Sequence, residues 1–223
     1  FNLGISSNYF MEIAKIRAFK ILWKLITSEY GYENTPYIHS QTTTYNITAA
    51  DAQTNMLRTT TEAMSAIIGG CNSLSITPFN SAYEKPTDFT CRVARNIQIL
   101  LKEEAYLDKV SEVANGAYYI EELTDNLVNS ALTLFKNTEA EGGFLNNIEN
   151  SNIQNTINNT HTNRLEKYLA NTKTLLGINK HPNKMETAPE TITSNPYGNP
   201  LITPLSPINL AHEIINQQNT VNV

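Results

Sequence analysis

From Asn8 to about residue 30 apolar residues recur at three- and four-residue steps. Phe10, Ile13, Ile16, Phe19 and Trp23 fall on one stripe, which predicts a helix over 8–30, with Asn8 as its cap and Gly31 at its stop. The run Tyr37-Ile38-His39-Ser40-Gln41-Thr42-Thr43-Thr44-Tyr45 breaks that rhythm. Its β-branched and aromatic residues predict a strand over 37–43. Side chains alternate faces along a strand, so Tyr37, His39, Gln41 and Thr43 share one face and Ile38, Ser40 and Thr42 the other. A second helix is expected over 49–68, opened by Ala50 and Asp51, with Met56, Thr60, Ala63, Met64 and Ile67 as its stripe and Gly69-Gly70 as its end. Residues 71–76 make a short strand candidate. Strand, helix and strand in that order predict a βαβ unit, hence a parallel sheet with helices outside it.

Further along, Lys85-Pro86-Thr87-Asp88 leads into a third helix over about 88–104 with Phe89, Val93, Ile97, Leu100 and Leu101 on its apolar face. A fourth helix is expected over about 119–140, stopped by Gly142-Gly143. The Asn-, Ile- and Thr-rich stretch 145–163 reads as weakly helical at best, with Arg164 to Leu169 as the end of such a helix. Leu175-Leu176-Gly177-Ile178-Asn179 suits a short strand or an apolar plug. From about 181 the character changes: prolines at 182, 189, 196, 200, 204 and 207 are separated by Thr, Asn and Ser. Such a segment cannot build a core of its own. It is either disordered or wraps another surface in extended form; Leu201, Ile202, Leu205, Ile208 and Leu210 favour wrapping, with a short helix over 208–217.

Composition narrows the function classes. The 223 residues are 40% hydrophobic and 17% charged, with a net charge of −5. That balance argues against a nucleic-acid surface. No apolar run reaches the roughly 18 residues of a membrane span. Position 1 is Phe, and neither a charged n-region nor an apolar h-region follows, so no signal peptide is expected and the chain reads as part of a longer protein. Cys71 and Cys91 make neither a disulfide framework nor a zinc spacing, which points to a reducing cytoplasm. His39, His161, His181 and His212 do not cluster in sequence, and no metal site is expected.

Common catalytic motifs are missing: no Gly-x-Gly-x-x-Gly, Walker A, Gly-x-Ser-x-Gly or His-Glu-x-x-His pattern occurs. Cys71 reads as a small buried residue. Arg92 and Arg95, three apart on one helix face, read as solvated charge or as salt-bridge partners of Glu103 or Glu104 rather than as an anion site. The row of Tyr37, His39 and Gln41 is the persuasive candidate. It is a poor hydrophobic core, and it suits either a wall that hydrogen-bonds a polar ligand or a strand end with a satisfied histidine. In a parallel barrel, sites gather at the C-terminal ends of strands, where His39 and Gln41 would lie.

Several segments together resemble methylmalonyl-CoA mutases. They are Asn8-Tyr9-Phe10-Met11-Glu12-Ile13-Ala14-Lys15-Ile16-Arg17-Ala18, His39-Ser40-Gln41-Thr42, Arg58-Thr59-Thr60-Thr61-Glu62-Ala63-Met64, and Gly69-Gly70-Cys71-Asn72-Ser73-Leu74. Pro86-Thr87-Asp88-Phe89, Arg92-Val93-Ala94-Arg95-Asn96-Ile97-Gln98, Gly116-Ala117-Tyr118-Tyr119 and Leu176-Gly177-Ile178-Asn179-Lys180 continue the series. The resemblance implies an α/β chain: residues 1–180 as the C-terminal part of a (β/α)₈ TIM barrel that threads coenzyme A, and 181–223 as a Pro-rich tail. It also implies radical isomerisation of methylmalonyl-CoA and succinyl-CoA with adenosylcobalamin at the barrel mouth. His39 and Gln41 match the family's His-x-Gln pair that reaches the reaction centre.

The departures from that family shape the expectation. Tyr37 stands where active members carry an Arg that helps hold coenzyme A phosphates. Thr42-Thr43-Thr44-Tyr45 replaces the usual Thr-Ser-Gly-Trp. Thr77 and Ser81 align with an Asn and a Glu that contact the adenosyl group. No Asp-x-His-x-x-Gly, which supplies the histidine under cobalt, occurs in the sequence. The resemblance is therefore to a small, or beta, subunit: a degraded, accessory member of a heterodimer whose large subunit bears the cobalamin. The tail is expected to wrap that partner.

Overall fold

A computed structural model describes residues 1–182, 202–205 and 208–221. Ten elements follow one another: β1 (Asn2–Ile5), α1 (Tyr9–Ser28), β2 (His39–Thr42), α2 (Thr54–Ile68), β3 (Ser73–Ser75), α3 (Asp88–Glu103), α4 (Tyr118–Ala140), α5 (Gly143–Glu149), α6 (Asn152–Leu169) and α7 (Leu210–Val221). The chain divides into two compact units. One comprises Phe1–Thr43, Met56–Phe79 and Pro86–Leu134; the other comprises Thr44–Asn55, Asn80–Lys85 and Phe135–Val223.

The first unit is built on a parallel sheet in the order β1-β2-β3. Asn2 pairs with His39 and Ile5 with Thr42, while His39 pairs with Ser73 and Gln41 with Ser75. Helices α1 and α2 are the crossovers between successive strands, the repeated β-α-β connection from which (β/α) barrels are made. Ile5, Ile16, Ile38 and Ala66 form the seam between sheet and helices, with Leu3, Phe19, Cys71 and Leu74 packed against it. Ala63, Ile76, Ala94 and Leu101 join α2, the end of β3 and α3 in a second cluster. Helix α3 starts at a reciprocal cap: the Thr90 N–H donates to Thr87 Oγ1 and the Thr87 N–H to Thr90 Oγ1. At the rim of this unit Arg17 donates to both Glu121 carboxylate oxygens at 2.7 Å, tying α1 to the start of α4.

The second unit has its own core of Ala50, Leu165, Tyr168, Leu175, Ile178, Leu210, Ala211 and Ile214. Asn209 fastens α7 in place: its amide donates to Thr44 O and Ile47 O, both at 2.9 Å, and its side-chain oxygen caps the His212 N–H. Ile47 packs with Ala82 and Tyr83, so the loops 44–55 and 80–85 belong to this unit. Among the described residues no helix is long and apolar enough to cross a membrane.

Four expectations change. A strand at 2–5 was not foreseen. The polar strand is His39–Thr42 rather than 37–43, because Pro36 has no N–H and the Ile38 N–H is taken by Asn72 Oδ1 at 2.8 Å. The second helix begins at Thr54, not 49. Residues 48–55 are held instead as a turn, with Asn55 bridging the Thr48 N–H and C=O at 3.0 and 2.7 Å and Thr54 bonded to Asp51 at 2.6 Å. The stretch 145–163 is helical, split between α5 and α6. Leu175 and Ile178 form the apolar plug of the two alternatives, with a single bridge from Leu176 to Lys180. The expected tail falls largely outside the described residues. Its helical part, α7, folds back on the second unit.

Candidate active-site strand

Strand β2 lies between β1 and β3, and its two faces differ as the alternation requires. Ser40 and Thr42 are buried at 0% and 1% exposure, whereas His39 is half-buried and Gln41 exposed. The open face thus carries the His-x-Gln pair. Tyr37, on the same side of the alternation but ahead of the strand, is 63% exposed, and its carbonyl accepts from the Phe1 nitrogen at 2.7 Å.

Neighbouring hydroxyls engage this face. His39 Nδ1 lies 2.7 Å from Ser73 Oγ, the side chain of its own register partner on β3. The Gln41 amide donates to Thr77 Oγ1 over a long 3.4 Å. Thr77 sits just beyond β3 and is locked to the end of β2 twice. Its N–H donates to Thr42 Oγ1 at 2.8 Å, and its hydroxyl donates to Thr42 O at 2.5 Å. The hydroxyl's one proton is therefore spent inside the sheet edge, leaving Thr77 only lone pairs to offer outward. Ser81 belongs to the other unit, where its Oγ is buried without a hydrogen-bond partner.

The first unit thus brings His39, Gln41 and Thr77 onto one side of two parallel strands and leaves Tyr37 at the margin; Gln41 and Thr77 lie toward the C-terminal ends, as expected, whereas His39 opens β2, because the strand starts at that residue and pairs there with Ser73, the first residue of β3. Ser73 is the member that sequence reasoning missed. Its signal was available: it follows Gly-Cys-Asn, and strand pairing in parallel register sets it beside the histidine. Arg92 and Arg95 are exposed on α3, with the Arg92 guanidinium 5.8 Å from the centre of the Phe89 ring. Burial pushes the Cys71 thiol up, away from the thiolate a nucleophile needs.

Among the described residues no group of three or more His, Cys, Asp or Glu side chains could hold a metal ion. The imidazole of His39 is tied at one nitrogen to Ser73, and the candidate adenosyl-contact positions offer a committed hydroxyl and a buried one. What the geometry provides is a polar wall that can hydrogen-bond a ligand through His39 and Gln41.

A three-stranded parallel sheet with crossover helices, carrying such a wall on its middle strand, fits part of a (β/α) barrel. The methylmalonyl-CoA mutase family matches over residues 1–199, and the chain belongs to that family. It is 45% identical over 198 residues to a methylmalonyl-CoA mutase small subunit from Porphyromonas gingivalis, covering 86% of this chain and 32% of that protein. The large subunit from the same organism is 36% identical over 182 residues, 80% of this chain and 26% of its own length. A methylmalonyl-CoA mutase from Rhizobium meliloti is 35% identical over 185 residues, 81% of this chain and 26% of its own length. The chain therefore spans a third or less of the relatives it matches.

Proposed function

We propose that this chain is part of the small, accessory subunit of a heterodimeric methylmalonyl-CoA mutase, partnered by a large subunit that holds adenosylcobalamin and isomerises the CoA thioester. The observation that carries this reading is the Thr77 hydroxyl, bonded into the sheet at 2.5 Å from Thr42 O where a ligand-facing amide would be needed. Greater identity to the small than to the large subunit of one organism supports it. In this reading β1–β3 form an arc of the barrel wall within residues 1–180, and residues 181–223 contact the large subunit, anchored at one end by α7. His39, held by Ser73, and Gln41 remain as the wall of a site that no longer turns over. The bound cofactor would supply the radical from the other subunit.

In the full heterodimer Gln41→Ala should leave kcat within about twofold of the parent. A specific observation favours a second reading: His39 and Gln41 keep the open face of β2, as a catalytically active chain served by a separate cobalamin domain would require. A fall in kcat of tenfold or more on Gln41→Ala would support that reading against ours. A third role, as a non-enzymatic CoA-binding scaffold, requires calorimetry on the full-length subunit to register coenzyme A binding. Our reading expects none.

A further inference from the structure

The second unit contains a cleft of about 340 Å³, lined by Tyr45, Thr156, Ile157, Thr160, His161, Arg164 and Ile208. Its volume is in the range of small-molecule sites. A chain of polar contacts runs along one wall. Glu213 of α7 accepts from His161 Nε2 at 2.5 Å, and His161 Nδ1 lies 3.2 Å from the Tyr45 hydroxyl. A carboxylate on Nε2 fixes the proton there, so in the neutral imidazole Nδ1 accepts from the phenol O–H. Burial pushes the Tyr45 phenol up, which keeps that proton in place at neutral pH. The Tyr45 ring, held at its hydroxyl, in turn carries the Arg164 guanidinium 5.5 Å from its centre. Among the described residues no carboxylate pairs with Arg164. The remaining wall is apolar in effect: Ile157 and Ile208 are hydrocarbon, and the Thr156 and Thr160 hydroxyl protons are spent on helix carbonyls at 2.9 and 2.8 Å.

We propose that this cleft is a second binding site, separate from the polar strand, for a small monocarboxylate with a short alkyl chain. Arg164 meets the carboxylate with its planar fork of donors. Ile157 and Ile208 cover the alkyl chain. Tyr45, His161 and Glu213 are positioning residues that set the guanidinium. The charge count selects a monoanion: one guanidinium lines the cleft, in contact with Tyr45 and without a carboxylate partner among the described residues, and the Glu213 carboxylate behind His161 disfavours a dianion such as phosphate.

The test is line broadening of butyrate by the full-length protein, with butyramide as the uncharged analogue of the same shape and inorganic phosphate as competitor. Butyrate should bind at least tenfold more tightly than butyramide, and phosphate should fail to displace it. Arg164→Gln should weaken butyrate at least tenfold. Arg164→Lys, which keeps the charge and loses the fork, should weaken it severalfold, and Arg92→Gln on exposed α3 should change nothing. Equal binding of butyrate and butyramide would overturn the site without any variant. So would an Arg164→Gln protein that binds as the Arg92→Gln protein does, and displacement by phosphate would overturn the ligand class.

Discussion

Replacing Thr77 by Val removes one hydroxyl and keeps the shape of the side chain. In the parent that hydroxyl donates to Thr42 O at 2.5 Å, while the Thr77 N–H still finds Thr42 Oγ1 at 2.8 Å in the variant. A single intramolecular hydrogen bond contributes about 1 kcal/mol net, and a carbonyl left short of a partner costs about 1–3 kcal/mol. Thr77 is half-buried, so water can partly satisfy Thr42 O. The expected loss is therefore about 1–2 kcal/mol. With a shift of about 2–4 °C per kcal/mol for a domain of 150–250 residues, Tm should fall by about 2–8 °C. Thermal unfolding of the full-length subunit measures this, and turnover of the assembled heterodimer measures the other half of the argument. An accessory subunit loses stability and keeps kcat. If Thr77→Val lowers kcat tenfold while Tm stays within a degree, the hydroxyl serves a ligand rather than the sheet, and the reasoning fails.

Other predictions test the frame around the site. Ile214, fully buried in the second unit with Leu210, Leu165 and Tyr168, should cost about 2–5 kcal/mol when cut to Ala, read from denaturant midpoints. Gly177 has φ +83, and a Cβ there would stand 2.9 Å from Asp51 Cβ, so Gly177→Ala should lower Tm by several degrees and by more than Gly31→Ala, which shares the left-handed backbone at φ +68 but meets no neighbour. The Gly116 N–H and the Arg17 guanidinium hold the Glu121 carboxyl below the usual carboxylate range. Its contribution to stability is thus present above the unfolded value of about 4.3 and is lost as pH falls through the lower folded value. A pH series of unfolding midpoints should show Glu121→Gln flattening that acid limb while leaving the neutral-pH shape unchanged.

Much of the first unit is legible in sequence because single signals suffice there. The apolar stripe of α1 and the alternation of β2 match the periods that the structure uses, and α3 starts where Lys85-Pro86-Thr87-Asp88 is expected to lead into it, whereas Asn8 precedes α1 without a side-chain cap bond. Strand β1 escapes notice because four residues at the start of the chain carry too short a pattern, and its pairing with β2 is a long-range fact. The misread stretch 145–163 has an equally physical cause. Asn and Thr are weak helix formers on local grounds. Here Thr156, Thr160 and Thr162 return their hydroxyls to carbonyls four residues back, and Leu165 and Tyr168 bury against α7. Packing against a segment more than 40 residues away overrides propensity. The same distance hides the Tyr45, His161 and Glu213 chain, whose members lie 116 and 52 residues apart. The His39 and Gln41 face was legible, whereas the commitment of Thr77 to Thr42 required the parallel register.

The most direct test of the accessory role is the cobalamin content of the heterodimer assembled from full-length small and large subunits. Spectroscopic quantitation against protein mass should give one cobalamin per heterodimer, all of it retained by the large subunit on separation. Two per heterodimer, or cobalamin retained by the small subunit, would contradict the account.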